Sequence, residues 1–197
     1  TGVQTCALPI YALHGDWGTS FIFKKPALDI ILGKLVATLE LVFAATFWII
    51  TISIPAGVYC AIKPRSLGTK LIMGISTIGI SVPVFLTAIL LMYVFSIELG
   101  WLPSYGRGET VNLLGWESGL FTLDGLKHLL LPSVALSSIM LPLFIRLVRA
   151  EMLEALSAEY VKFAWAKGLD KNKVWFRHAL KNTMLPVITV GGVQIGS

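Results

Sequence analysis

Side chains able to do chemistry are sparse in this sequence and do not cluster. His14, His128 and His178 fall in three different segments, and no His-x-x-x-His or Cys-x-x-Cys spacing puts two ligands on one face, so no metal site is expected. His128 reads as an interfacial residue beside an apolar stretch, not as a ligand. No Gly-x-x-x-x-Gly-Lys-Ser/Thr loop is present to cradle a phosphate chain, so the chain is not expected to be an enzyme that hydrolyses ATP, and no catalytic residue is assigned. Any pumping has to be powered elsewhere. No serine sits in a Gly-x-Ser-x-Gly elbow, which weakens a membrane-embedded hydrolase. Glu40 is the one acid close to a long uncharged run, and two readings stay open for it. It is either a cargo or proton contact facing a bundle interior, or a carboxylate held at the outer interface beside Thr38 and Lys34.

The elements that carry these residues follow from composition. The chain has 197 residues, 55% hydrophobic and 14% charged, with mean hydropathy +0.78, where a soluble domain carries about 25% charged residues. A water-soluble globule, a disordered tail and a disulfide scaffold are all excluded. Leu41 to Ile62 runs 22 residues without Asp, Glu, Lys or Arg, Leu71 to Ile97 runs 27, and Leu129 to Ile145 runs 17. A spanning helix needs about 20 such residues. The expected fold class is all-α, a polytopic membrane protein with spans near 35–62, 71–97 and 129–148 and a further span from Met184 cut off at Ser197. Pro55, Pro83, Pro132 and Pro142 predict kinks in these spans. Because Met184 to Ser197 is only 14 residues long and the sequence does not begin with Met, the chain is expected to be a fragment; residues 1–10 lack the basic start and apolar centre of a signal peptide and read as a cloning or assembly remnant.

Orientation follows from Lys and Arg. Lys63, Arg65 and Lys70 crowd the first connection, and Arg146, Arg149, Lys162, Lys167, Lys171, Lys173, Arg177 and Lys181 crowd the stretch after the third span. The connection from Glu98 to His128 holds Arg107 and Lys127 against Glu98, Glu109, Glu117 and Asp124. The basic segments are placed inside, and residues 11–34 and the Glu98–His128 connection outside, with Trp101 and Trp116 as interfacial anchors. The net charge of +5 is then orientation bias, and no nucleic-acid partner is expected. This topology separates Cys6 from Cys60, so no bridge joins them.

The segment 149–183 carries the most information. Met152, Leu156, Tyr160 and Phe163 recur at helical spacing and predict one apolar face. Gly168 can take the left-handed conformation that ends a helix, Leu169 can supply the apolar contact beside it, and Asp170 can cap a new helix from Lys171. Helix, tight corner and helix could lie in the headgroup layer or could dock into a groove of a soluble partner.

The actual residues favour docking. Glu-Tyr-Val-Lys-Phe-Ala-Trp-Ala-Lys-Gly-Leu at 159–169, followed by Phe-Arg-His-Ala-Leu-Lys-Asn-Thr-Met-Leu-Pro-Val-Ile-Thr at 176–189, resembles the cytoplasmic signature of permease subunits of dipeptide, oligopeptide and nickel ABC importers. Gly-Asp-Trp-Gly-Thr-Ser (15–20), Ala-Thr-Leu-Glu-Leu (37–41), Ile-Pro-Ala-Gly-Val (54–58) and Gly-Trp-Leu-Pro (100–103) add to the resemblance, which covers residues 11–197. Where the general importer signature has Glu-Ala-Ala, this chain has Lys162-Phe163-Ala164, and its Leu-Pro follows Gly168 at a longer interval than in sugar importers. Both departures resemble the peptide and nickel branch.

The resemblance implies a type I importer membrane domain in a bacterial or archaeal plasma membrane, lacking here its first and last spans. It implies that Glu159, Tyr160, Ala164, Gly168 and Leu169 dock an ATPase subunit, with Asp170, His178, Ala179, Leu185 and Pro186 supporting the return to the membrane. The implied partners are ABC ATPase subunits that bind ATP and Mg, a second permease subunit completing the pore, and an extracytoplasmic solute-binding protein. The chain itself would hold no cofactor. Ser53 with Gly57, and Gly192 with Gly196, are expected to pack closely against the second permease. The implied mechanism is alternating access, for a dipeptide or oligopeptide cargo, with nickel or glutathione as alternatives. A self-sufficient channel or secondary transporter is the rival reading and would need no ATPase.

Overall fold

The computed structural model describes residues 24, 26–113 and 116–195. The remnant assigned to residues 1–10, most of the segment 11–34, His14, Cys6 and the 15–20 motif lie outside them. Helix α1 (Ala27–Ile62) runs through Pro55 and begins well before the span expected from residue 35. After a tight turn, α2 (Leu67–Ser81) starts from Ser66, whose hydroxyl accepts from the Thr69 N–H at 3.1 Å, and the Thr69 hydroxyl donates to the Lys63 carbonyl at 2.7 Å. Helix α3 (Val84–Met92) continues into a π-helical stretch, Tyr93–Glu98. An antiparallel ribbon, β1 (Val111–Leu113) with β2 (Trp116–Ser118), pairs Val111 with Ser118 and Leu113 with Trp116. Helix α4 (Leu123–Ser157) leads to the short α5 (Glu159–Ala166), a π-helical stretch Lys173–Ala179 and α6 (Leu180–Ile195). Apart from the ribbon, the described structure is all-α.

Among the described residues, α1 and α4 are each long and apolar enough to cross a membrane, and α2 with α3 makes a third crossing if counted as one bent span. Here the structure corrects the sequence reading. The run 71–97 is not one kinked rod: α2 and α3 meet at 104°. Val82, ahead of Pro83, is extended (φ −89°, ψ 124°), because a proline ring excludes its predecessor from the helical region. Pro55, Pro132, Pro142 and Pro186 are accommodated inside continuous helices. The hydroxyls of Ser133, Ser137 and Ser138 in α4 donate to carbonyls three residues back, at 2.7–2.9 Å. Such back-bonding gives hydroxyls inside an apolar helix a partner.

The size distribution of buried and outward side chains is that of a membrane protein. Phe43, Phe47, Leu71, Ile75 and Phe85 face outward, while Ser53, Cys60, Ala61, Ser76, Ser133 and Ala135 are buried. Small residues bring helix backbones together where lipid supplies no hydrophobic drive. Gly57 is the tightest point: a Cβ there would stand 2.6 Å from the Val148 Cβ and 3.0 Å from the Ile145 carbonyl oxygen. Ser53 and Gly57 therefore pack α1 against α4 of the same chain, not against a second permease as the sequence suggested. Gly192 has nothing within 4 Å of such a Cβ. Gly57→Ala is expected to destabilise the protein by about 1–3 kcal/mol through overpacking, and Val148→Ala in the same chain is expected to recover part of it. Gly192→Ala should leave thermal denaturation in detergent unchanged.

The largest apolar cluster lies at the end bearing the basic turn. Val58 and Ala61 of α1, Val148, Met152 and Ala155 of α4, Val161 and Ala164 of α5, and Val174 and Ala179 beyond the corner are all buried in it. Four chain segments converge there, and they hold the hairpin that follows α4.

Candidate docking surface

The hairpin begins with a break the periodicity did not reveal. Helix α4 ends at Ser157, whose hydroxyl donates to the Glu154 carbonyl at 2.8 Å, and Ala158 is extended (φ −68°, ψ 150°). Glu159 then stands in the first turn of α5, where a carboxylate complements the helix dipole. The face expected to run from Met152 to Phe163 is thus split. Met152 is fully buried under the hairpin, while Phe163 points away from it, 66% exposed.

The glycine corner closes α5 by a pair of backbone bonds. The Gly168 N–H donates to the Trp165 carbonyl at 2.9 Å, and the Leu169 N–H to the Ala164 carbonyl at 3.3 Å. This six-to-one and five-to-two pattern requires a left-handed residue at position 168, and Gly168 has φ +75°. Asp170 follows as the cap: its carboxylate accepts from the Asn172 N–H at 3.2 Å and its carbonyl from the Val174 N–H at 3.0 Å. The next helix is wound as a π-helix over Lys173–Ala179, a form rare enough that it marks a locally constrained segment.

The residues singled out by sequence divide by burial. Glu159, Tyr160 and Gly168 are exposed on the hairpin, with Asp170 at its corner. Leu169 is half-buried against the cluster, as a corner contact should be. Ala164 is only 5% exposed, so it belongs to the packing beneath the hairpin and cannot itself meet a partner. Ala179 is fully buried and His178 and Pro186 are half-buried, which suits support, but Leu185 is 75% exposed and braces nothing among the described residues. Lys162 pairs with Glu159 of its own helix at 2.7 Å, an exposed contact that contributes little stability.

Beyond Tyr160 and Phe163, which the sequence places on one apolar face, two aromatics add to the surface: Trp165 (39% exposed) and Phe176 (56%). With Tyr160 and Phe163 they give the hairpin exposed aromatic side chains over a Val and Ala interior, and Lys167, Lys171, Lys173 and Arg177 are exposed as well. Exposed aromatic side chains are enriched at protein interfaces.

Between α1, α4 and α6 lies a groove of about 600 Å³, walled by Val42, Thr46, Ile50, Met140, Phe144 and Gly191. Glu40 does not line it. That carboxylate is 5% exposed at the opposite end from the hairpin, accepting from the Gly119 N–H at 2.9 Å and pairing with Arg107 at 3.4 Å. The interior contact open to Glu40 in the sequence is replaced by a tie to the segment between α3 and α4.

Comparison with known proteins agrees with this architecture. The family model described as "Binding-protein-dependent transport system inner membrane component" matches residues 53–197. A dipeptide transport system permease protein, DppB, of Alkalihalophilus pseudofirmus is 37% identical over 195 residues, covering 93% of this chain and 59% of the relative. The oligopeptide transport system permease protein AppB of Bacillus subtilis is 39% identical over 189 residues (94% and 57%). The glutathione transport system permease protein GsiC of Escherichia coli is 34% identical over 185 residues (94% and 55%). The chain thus spans somewhat over half the length of the curated relatives it matches. On the extent of the family match and these identities, the chain belongs to the inner membrane components of binding-protein-dependent transport systems.

Proposed function

We propose that this chain is part of a multi-pass permease subunit of an ATP-driven importer, receiving cargo from an extracytoplasmic solute-binding protein and contributing half of the pore. The cargo is a dipeptide or oligopeptide. The relatives' printed substrates, dipeptide, oligopeptide and glutathione, are all peptide-like, which supports that class over nickel. ATP and Mg are held by partner ATPase subunits, since the chain has no phosphate-cradling loop.

The observation that carries this reading is the hairpin. Its corner is locked by Gly168, its interior is anchored in the cluster around Met152, and its exterior offers Tyr160, Phe163 and Phe176. A rigid knob on the basic side suits a cleft in a soluble motor, which moves the helices by moving the knob. A channel or a secondary transporter would have no use for it. The groove beside α1, α4 and α6 has apolar walls with Thr46 and Gln194 as polar exceptions, and its open side suits a second permease subunit.

Phe163→Asp tests the surface without touching the buried cluster. The expected outcome is normal insertion of the full-length protein, loss of the ATPase subunit on co-purification, and at least a tenfold fall in uptake of labelled dipeptide. Retention of the ATPase with unchanged uptake would show that the hairpin is not the dock.

A further inference from the structure

Glu40 is the one charged residue in the buried set among the described residues, and the hairpin and groove leave it without a role. A buried carboxylate persists only where donors replace water. Its donors are the Gly119 N–H at 2.9 Å and the Arg107 guanidinium at 3.4 Å, which lie 79 and 67 residues further along the chain. Both belong to the outer segment between α3 and α4.

That segment is also sewn to the start of α4. The Glu109 N–H donates to the Asp124 carboxylate at 3.0 Å, and the hydroxyl of Thr122, the cap of α4, donates to the Glu109 carbonyl. Those bonds hold it to the start of α4. Among the described residues, Glu40 of α1 makes polar bonds to it, over a small cavity of about 120 Å³ bounded by Glu40, Arg107, Gly119 and His128. From Glu40, α1 runs without a break along the groove wall to Val58 and Ala61, which are buried in the cluster that seats the docking hairpin. One helix therefore links the outer segment to the hairpin's foundation, about 30 Å away at 1.5 Å per residue.

We propose that Glu40 is a positioning residue that makes the outer segment and α1 one mechanical unit, so that a solute-binding protein seated on the outer segment acts on the docking hairpin through α1. This rests on the import reading above. Glu40 touches no cargo and no nucleotide in this scheme. It works by denying the outer segment independent movement: without the tie, Gly106 and Gly108, both at positive φ, would let the segment yield locally.

The test uses the assembled full-length transporter in lipid nanodiscs, with its ATPase and its binding protein at saturation. Glu40→Gln, Arg107→Gln and the double variant are compared for basal ATPase rate, for binding-protein affinity, and for stimulation of ATPase by cargo-loaded binding protein. Basal rates are expected within twofold of wild type, stimulation at least fivefold lower in each single variant, and the double variant no worse than the poorer single. Full stimulation in both singles overturns the proposal. So do losses that multiply in the double variant, or a fall in affinity alone, since either means the two residues act separately or touch the binding protein directly. A variant that loses basal activity and stimulation together shows a purely structural role and also overturns it. A wild-type complex that is never stimulated by any binding protein fails the import reading instead, and is recognised before any variant is made.

Discussion

Replacing Gly168 by valine is expected to abolish uptake while the full-length protein still reaches the membrane in normal amount. The left-handed conformation at φ +75° costs an L-residue about 1–2 kcal/mol, and a β-branched side chain fits it worst. Nothing lies within 4 Å of the position a Cβ would take, so the damage comes from the backbone and not from a clash. Relaxing φ breaks the bonds from Gly168 to Trp165 and from Leu169 to Ala164, and the two aromatic arms of the hairpin, Phe163 and Phe176, lose their fixed relation. Asparagine tolerates the left-handed region better, so Gly168→Asn should keep a measurable part of the uptake. Labelled-peptide uptake beside quantitative membrane blotting separates the cases. Unchanged uptake with valine would mean the corner is dispensable.

Met152→Ala should be the most damaging single change to stability, lowering it by about 2–5 kcal/mol. The side chain is fully buried where α1, α4, α5 and the post-corner helix meet, and the Thr183 hydroxyl stands 3.7 Å from its sulfur. Truncation leaves a void where the hairpin packs against α1 and α4. Met152→Leu conserves volume and should cost under about 1.5 kcal/mol. Thermal denaturation of the detergent-solubilised full-length protein distinguishes the two. If the alanine variant melts with the wild type, the hairpin is held by something other than this cluster.

The spanning runs were legible in the sequence because lipid forbids charge, and the absence of Asp, Glu, Lys and Arg over 22 or 27 residues has few other causes. The corner was legible for a similar reason: Gly168, Leu169 and Asp170 are residue types whose backbone preferences match one geometry. The elbow was not. Five prolines at positions 55, 83, 132, 142 and 186 look alike in sequence, but only Pro83 separates two helices, and the decision is made by the extended backbone of Val82 and by packing around it. The break at Ala158 hid behind apolar spacing that fits an uninterrupted helix, with only Ser157 and Glu159 to suggest an end and a beginning. Ala164 and Leu185 came from resemblance, and a resemblance transfers position without burial. Trp165 and Phe176 escaped selection because an aromatic near a membrane reads equally well as an interfacial anchor. The β ribbon, three residues a side, is too short to show an alternating pattern.

The elbow at Val82 has a solvation consequence. Interrupting a helix midway through an uncharged run strips peptide groups of their i to i−4 partners, and acyl chains offer none in exchange. Pro83 accepts from the Leu86 and Thr87 N–H groups at 3.0 and 3.2 Å, but the last carbonyls of α2 are left with little beyond what neighbouring side chains or water can donate. A recess of about 370 Å³ opens beside Gly79, Val82, Thr87 and Ser138 at this level. The bend must accordingly face hydrated space or protein, so the junction of α2 and α3 cannot be wrapped in hydrocarbon.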